Sequence, residues 1–269
     1  YPACDKGKGE AAMHILRSLC SAFLMYSRIP MPMVEWKEEN RRYSLCFFPL
    51  IGVVVGALFM LWFRLGTFLG VGKLLFGAVF AVIPVIVTGG IHLDGFCDVC
   101  DAKACCGTKE KMLEVMSDPR TGAFAVINLA IYLIVQTGAY SEINGMGAAT
   151  VCALGFVLSR SLSGLAAVTF RSAKGSGALW NFAKPAHRKI TVFTEIVFII
   201  MTSALMILAF PAGGAAAVVG NALVFLYYRI FSYRKFGGIT GDLAGYFLQL
   251  SELCTALCAV SAGLVTEVL

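Results

Sequence analysis

Leu74-Leu75-Phe76-Gly77-Ala78-Val79-Phe80-Ala81-Val82-Ile83-Pro84-Val85-Ile86-Val87-Thr88-Gly89-Gly90-Ile91 carries no charge, and it runs directly into His92-Leu93-Asp94-Gly95-Phe96-Cys97-Asp98-Val99-Cys100-Asp101. A spanning helix needs about 20 apolar residues. The first stretch therefore reads as a span, and the second as a polar segment delivered to its end. Similar uncharged or nearly uncharged runs occur at Leu45 to Phe63, Ala123 to Tyr140, Ala148 to Phe170, Ile190 to Phe210, Gly213 to Tyr228 and Leu243 to Thr266. The pattern predicts an all-α, polytopic transmembrane helical bundle with about seven spans. The Gly213 run is short and rich in Gly and Ala, which also allows a re-entrant or tilted segment. Ahead of the spans, His14 to Ile29 has apolar residues at helical spacing and reads as an N-terminal interfacial helix.

Composition agrees with this reading. The chain is 58% hydrophobic and only 14% charged, against about 25% charged residues in a soluble domain, and its mean hydropathy is +0.79. No polar linker separates the apolar runs, so residues 1–269 read as a single membrane domain, with residues 1–10 set apart as a processing remnant. Several of the 10 cysteines lie inside apolar runs (Cys46, Cys152, Cys254, Cys258), where a free thiol packs as a small hydrophobe in a reducing setting. The net charge of +6 includes no basic block interleaved with aromatics, which speaks against nucleic acid as a partner.

The basic residues are unevenly placed. Lys37, Arg41 and Arg42 precede the first span; Lys103, Lys109, Lys111 and Arg120 follow the second; Arg171 to Lys189 follow the fourth; Arg229, Arg234 and Lys235 close the sixth. The alternate connections hold only Arg64 and Lys73. Lys/Arg-rich loops mark the cytosolic side, so the expected protein is integral to the cytoplasmic (inner) membrane, with its N-terminus and polar segments facing the cytosol.

If the acidic segment is helical, Asp94, Asp98 and Asp101 fall at i, i+4 and i+7, within about 60° of one face. Carboxylates about 6 Å apart repel by roughly 3 kcal/mol per pair at an effective dielectric of 20, so the cluster calls for a proton, a basic partner or a divalent cation. Oxygen-only ligands favour a hard ion, and magnesium held by carboxylates and substrate phosphates is the common arrangement. Phosphoryl or phosphodiester chemistry follows as the first expectation, against the alternative of a solvated acidic helix end capped by Gly89 and Gly90.

In Met116-Ser117-Asp118-Pro119-Arg120-Thr121-Gly122, Asp118 is a candidate for the metal shell and Arg120 for phosphate binding; the bland alternative is a turn with a surface ion pair. Arg160 lies within a span, where a guanidinium is costly unless it faces a polar cavity or a carboxylate, and it is a second candidate for substrate phosphate. Glu195 and Glu252 are weaker candidates, since each is near a span end, where snorkelling is the alternative reading. Gly237-Gly238-Ile239-Thr240-Gly241-Asp242 makes Gly241 and Asp242 candidate substrate-binding residues at the start of the last helix. His92 with Cys97, Cys100, Cys105 and Cys106 offers a zinc or iron–sulfur reading, but the spacing is irregular.

These stretches together resemble the cobalamin synthase family, adenosylcobinamide-GDP ribazoletransferase. The resemblance rests on Gly89 to Gly95 with Asp98 and Asp101, on Glu114 to Phe124, on Gly238 to Asp242, on Ser27-Arg28-Ile29-Pro30-Met31-Pro32 and on Phe48-Pro49-Leu50-Ile51-Gly52, and so extends over nearly the whole chain. It departs from the family pattern at Ala102, where glycine is common, and at Cys97 and Cys100. The resemblance implies a membrane enzyme that joins adenosylcobinamide-GDP to alpha-ribazole or its 5'-phosphate, with magnesium, releasing GMP. It implies attack by a ribose hydroxyl on the diphosphate, with Asp94, Asp98, Asp101 and Asp118 as metal ligands and His92, Asp94 and Asp98 as catalytic candidates. The partners it implies are the two substrates and membrane lipid, with other corrinoid-assembly enzymes or a second copy of the chain as further candidates. Two rival classes are a cation-coupled transporter using intramembrane aspartates and a membrane phosphotransferase acting on a lipid alcohol.

Overall fold

The computed structural model describes the backbone of residues 3–268 and the side chains of residues 13–266. Residues 1–10, set apart above, lie outside the described side chains. The elements in order are α1 (Ala3–Tyr26), α2 (Glu38–Arg41), a 3-10 turn (Ser44–Phe47), α3 (Phe48–Phe68), α4 (Lys73–Thr88), α5 (Ile91–Ala104), α6 (Lys109–Val115), α7 (Ala123–Ser141), α8 (Met146–Thr169), α9 (Ala178–Ala183), α10 (Arg188–Ala209), α11 (Pro211–Phe236) and α12 (Gly241–Val268). Among the described residues there is no strand, only an isolated parallel bridge between Ser172 and Ile239.

Six helices (the one ending at Phe68, and α7, α8, α10, α11 and α12) are long and apolar enough to cross a membrane, and the bent pair α4 and α5 raises the number to seven. The Gly213 run is neither short nor re-entrant: it sits in the continuous 26-residue α11. Helix α8 is the hub, with most of its length buried, while α7, α10 and α11 turn Ile131, Ile134, Phe193, Ile200, Leu208, Val219 and Leu223 outward. In water that apolar exterior would be costly; in a bilayer it meets lipid.

The span expected to end at Ile91 ends at Thr88. Gly89 and Gly90 both take positive φ (65° and 79°), a conformation that costs a residue with a Cβ and costs glycine little. Gly89 closes α4, Gly90 opens α5, and the two helices diverge by 98°. A straight continuation would carry Asp94, Asp98 and Asp101 about 30–40 Å from the start of α4 and away from the other helices. The bend instead lays α5 across the first turns of α7 and α12.

The basic loops meet at that same end. His187 N–H donates to the Arg42 carbonyl (2.9 Å), Lys174 Nζ donates to Ser117 Oγ (2.6 Å), and Ile239 N–H donates to the Arg171 carbonyl (2.8 Å). The opposite end carries the exposed Lys73–Glu142 ion pair (2.9 Å). Charge asymmetry along the sequence has thus become a single polar face. Helix α1 is not among the helices apolar enough to cross: it buries Ser18, Ser21, Ala22 and Phe23 and leaves Met13, Ile15 and Leu16 exposed.

Candidate active site

The site forms where α5 crosses α12. A Cβ on Gly95 would stand 2.8 Å from the Asp242 backbone, and one on Gly245 would stand 2.7 Å from the His92 carbonyl, so two glycines let the helices touch backbone to backbone. This crossing brings Asp242 to Asp94 and Asp98. The start of α12 is held in turn by the Ser172–Ile239 bridge and by Thr240, whose Oγ1 accepts from Leu243 N–H (3.2 Å) and bonds Asp242 Oδ2 (3.3 Å). Asp242, expected to bind substrate through the helix start, is placed among the carboxylates.

Asp94 is exposed and Asp98 half-buried. Burial and the neighbouring Asp94, Asp242 and Asp101 carboxylates push the Asp98 carboxyl up to about 6, with Lys174 alone opposing. The carboxylates therefore repel one another in a region short of positive charge, an arrangement that a divalent cation relieves. Among the described residues no group of three His, Cys, Asp or Glu side chains forms a ready-made metal cage. Magnesium does not need one, since it is commonly held by one or two carboxylates and completed by substrate phosphate and water. The donor set of Asp94, Asp98 and Asp242 fits that mode.

Two of the four expected metal ligands are engaged elsewhere. Asp101 accepts from Gly122 N–H (2.7 Å) and Ala125 N–H (2.8 Å), using both oxygens to cap the first turn of α7. Asp118 accepts a forked pair of bonds from Arg120 (Nε 2.9 Å, Nη2 2.7 Å), and this partner holds its carboxyl down at about 2. Arg120, expected to hold phosphate, is exposed and spends its fork on Asp118. The bland reading of this turn is the one the geometry favours.

Arg160 is likewise not at the carboxylate cluster. It is fully buried in α8, where Nη1 donates to Glu252 Oε1 (2.8 Å), the Phe156 carbonyl (3.0 Å) and Ser159 Oγ (3.3 Å). Glu252 and Glu195 do not snorkel: both are buried inside the bundle, because the helices that carry them run past α8 rather than ending there. His92, on α5, is buried edge-on to Phe48 of α3 with 6.0 Å between centroids, and its Nε2 has no protein partner. Burial and the charge of Arg160 both disfavour a proton on its imidazole. Among the described residues all cysteines are free, Cys100 is buried and Cys106 exposed, so the cysteine segment does not converge on a shared metal.

Two cavities flank Asp94. One, of about 190 Å³, is lined mainly by apolar side chains of α1, α3, α5, α8, α9 and α12, with His92, Asp94, Ser163 and Asp242 as its polar side chains besides Tyr26. The other, of about 580 Å³, is more open and polar, and is bordered by Ser27, Arg28, Thr88, Gly89, Asp94 and Cys97. Arg28 packs against Gly89 and anchors its own backbone through an N–H bond to the Val87 carbonyl (2.8 Å). Arg28 and Lys174 are the cations near the acidic cluster that sequence reasoning passed over. The Ser-Arg-Ile-Pro motif holding Arg28 was visible, but its distance in sequence from Asp94 hid the meeting.

Fold and site define a polytopic membrane enzyme whose carboxylates stand between two cavities at the polar face. The chain belongs to the cobalamin-5-phosphate synthase family, whose model matches residues 18–260. It is 41% identical over 250 residues to the adenosylcobinamide-GDP ribazoletransferase of Lachnoclostridium phytofermentans, covering 93% of this chain and 95% of that protein. Proteins of the same name from Clostridium botulinum (31% over 247 residues, 89% and 95% covered) and Desulfitobacterium hafniense (30% over 246 residues, 90% and 95% covered) are also similar. The chain is accordingly a transferase of cobalamin synthesis. No solved structure matches it.

Proposed function

We propose that the chain joins adenosylcobinamide-GDP to alpha-ribazole or alpha-ribazole 5'-phosphate, giving adenosylcobalamin or its 5'-phosphate and GMP. The observation that carries this reading is the meeting of Asp98 and Asp242 with Asp94, which borders two cavities of unlike polarity. Two substrates of unlike polarity have a place on either side of one carboxylate.

Asp94, Asp98 and Asp242 would hold magnesium, which when bound offsets the negative charge of a diphosphate and of its leaving phosphate. Arg28 and Lys174 orient phosphate oxygens from the open side. The ribose 3'-hydroxyl oxygen bonds to the cobinamide-linked phosphorus, the phosphorus–oxygen bond to GMP breaks, and GMP departs with the bonding pair. The hydroxyl proton passes to a carboxylate, with Asp94 the best exposed of the three. His92, where a positive charge is disfavoured, positions α5 against α12. The basic loops gathered at the site end favour a cytosolic active site in the cytoplasmic membrane.

The test is GMP release by purified protein given adenosylcobinamide-GDP, alpha-ribazole and magnesium. Stoichiometric GMP and a corrinoid product, both lost on chelation, are expected. No GMP with all three present overturns the reading.

A further inference from the structure

We propose that the apolar cavity beside Asp94 is the binding site for the heterocyclic base of ribazole, with the Tyr26 hydroxyl as a hydrogen-bond donor to it. The assignment rests on the reaction proposed above and adds to it where one substrate sits.

The walls select the occupant. Tyr26 and Phe48, 4.5 Å apart between ring centroids, line it together with Leu179, Leu248, Gly164 and Ala167. Such a surface suits a flat, mostly hydrocarbon ring system. It would strand the amine and carbonyl edges of guanine, and about 190 Å³ has no room for a corrin macrocycle. The base of ribazole is a benzimidazole: planar, apolar at its edges, and carrying one free ring nitrogen as acceptor once the other bears the ribose.

Two residues lining the cavity each keep a buried polar atom without a protein partner, Tyr26 at its hydroxyl and His92 at Nε2. Tyr26 lines it and is buried, and its hydroxyl has no partner in the protein. A buried hydroxyl without a partner is costly, and a ring nitrogen satisfies it. Met25, Ile91 and Asp94 line both cavities and so form the wall between them. A base seated behind that wall leaves its ribose at Asp94, facing the open cavity where the phosphate-bearing partner enters.

Two variants test the seat. Tyr26→Phe keeps the ring and removes the hydroxyl; Leu179→Trp fills the cavity from α9, a short helix at the polar face. Tyr26→Phe is expected to raise the KM for alpha-ribazole about three- to tenfold, and Leu179→Trp by more, while the KM for adenosylcobinamide-GDP stays within about twofold. Titration calorimetry with alpha-ribazole on the same proteins should show the same weakening. Ribazole KM and affinity unchanged in both variants overturn the assignment, and activity that instead tracks added phospholipid would identify an acyl chain as the occupant. Wild-type protein that binds alpha-ribazole, with binding weakened in both variants, but releases no GMP would sink the proposed reaction and leave the seat standing.

Discussion

Two polar clusters lie on either side of His92, and they differ in charge balance and access. At the membrane face Asp94, Asp98 and Asp242 crowd together with few cations nearby, and Asp94 borders two cavities and Asp242 one. Deeper in the bundle one guanidinium meets one carboxylate, Arg160 with Glu252, both essentially without solvent exposure. The first arrangement is unfavourable until something positive arrives. The second is balanced in charge, although Arg160 Nε and Nη2 and Glu252 Oε2 keep no protein partner. Uncompensated charge with access marks the place for chemistry, whereas balanced charge without access holds helices in register.

The largest effect should come from unbalancing the interior. Arg160→Met leaves Glu252 alone in the bundle and is expected to destabilise the protein by about 3–5 kcal/mol, while adding Glu252→Leu recovers most of that loss. Thermal unfolding in detergent reads both, and an undiminished midpoint in the single variant would erase the distinction between the clusters. At the face, Asp98→Asn should lower GMP release on the order of 10²- to 10³-fold without lowering the unfolding midpoint. Wild-type turnover would remove Asp98 from the reacting centre.

Asp101 separates position from chemistry within a single helix. Asp101→Ala frees the first amides of α7 and should cost roughly 0.5–2 kcal/mol of stability, with a smaller loss of turnover than Asp98→Asn. The reverse ranking would return Asp101 to the metal shell. In metal-free protein Asp98 binds a proton up to about pH 6, whereas the unfolded chain releases it near pH 4. Stability should therefore fall modestly as pH rises through that window, and magnesium should remove the dependence. A pH-independent midpoint in chelator would show that the carboxylates do not crowd. Asp118→Asn, which touches only the exposed Arg120 pair, should leave both midpoint and turnover close to wild type.

Much of the fold was legible because hydropathy and charge are local quantities: each apolar run and each basic loop can be read without knowing its neighbours. The helical spacing of Asp94 and Asp98 was legible for the same reason. What stayed hidden are the pairings. Arg160 and Glu252 are 92 positions apart, and nothing in either segment says which polar group it will face. Asp101 shares a helix face with Asp98 by spacing, yet its carboxylate reaches the amides of α7 because the bend at Gly89 and Gly90 aims α5 there.

The sequence by itself determined that this is a membrane bundle with its basic loops on alternate connections and an acidic segment at the end of a span, since the cost of putting charge in hydrocarbon is settled residue by residue. Only the tertiary structure decided that Asp242 joins Asp94 and Asp98, that Arg160 is paired with Glu252, and that an apolar cavity and a more open polar one share Asp94. Those outcomes depend on which helices cross and how closely, and that depends on glycines and packing far apart in the chain.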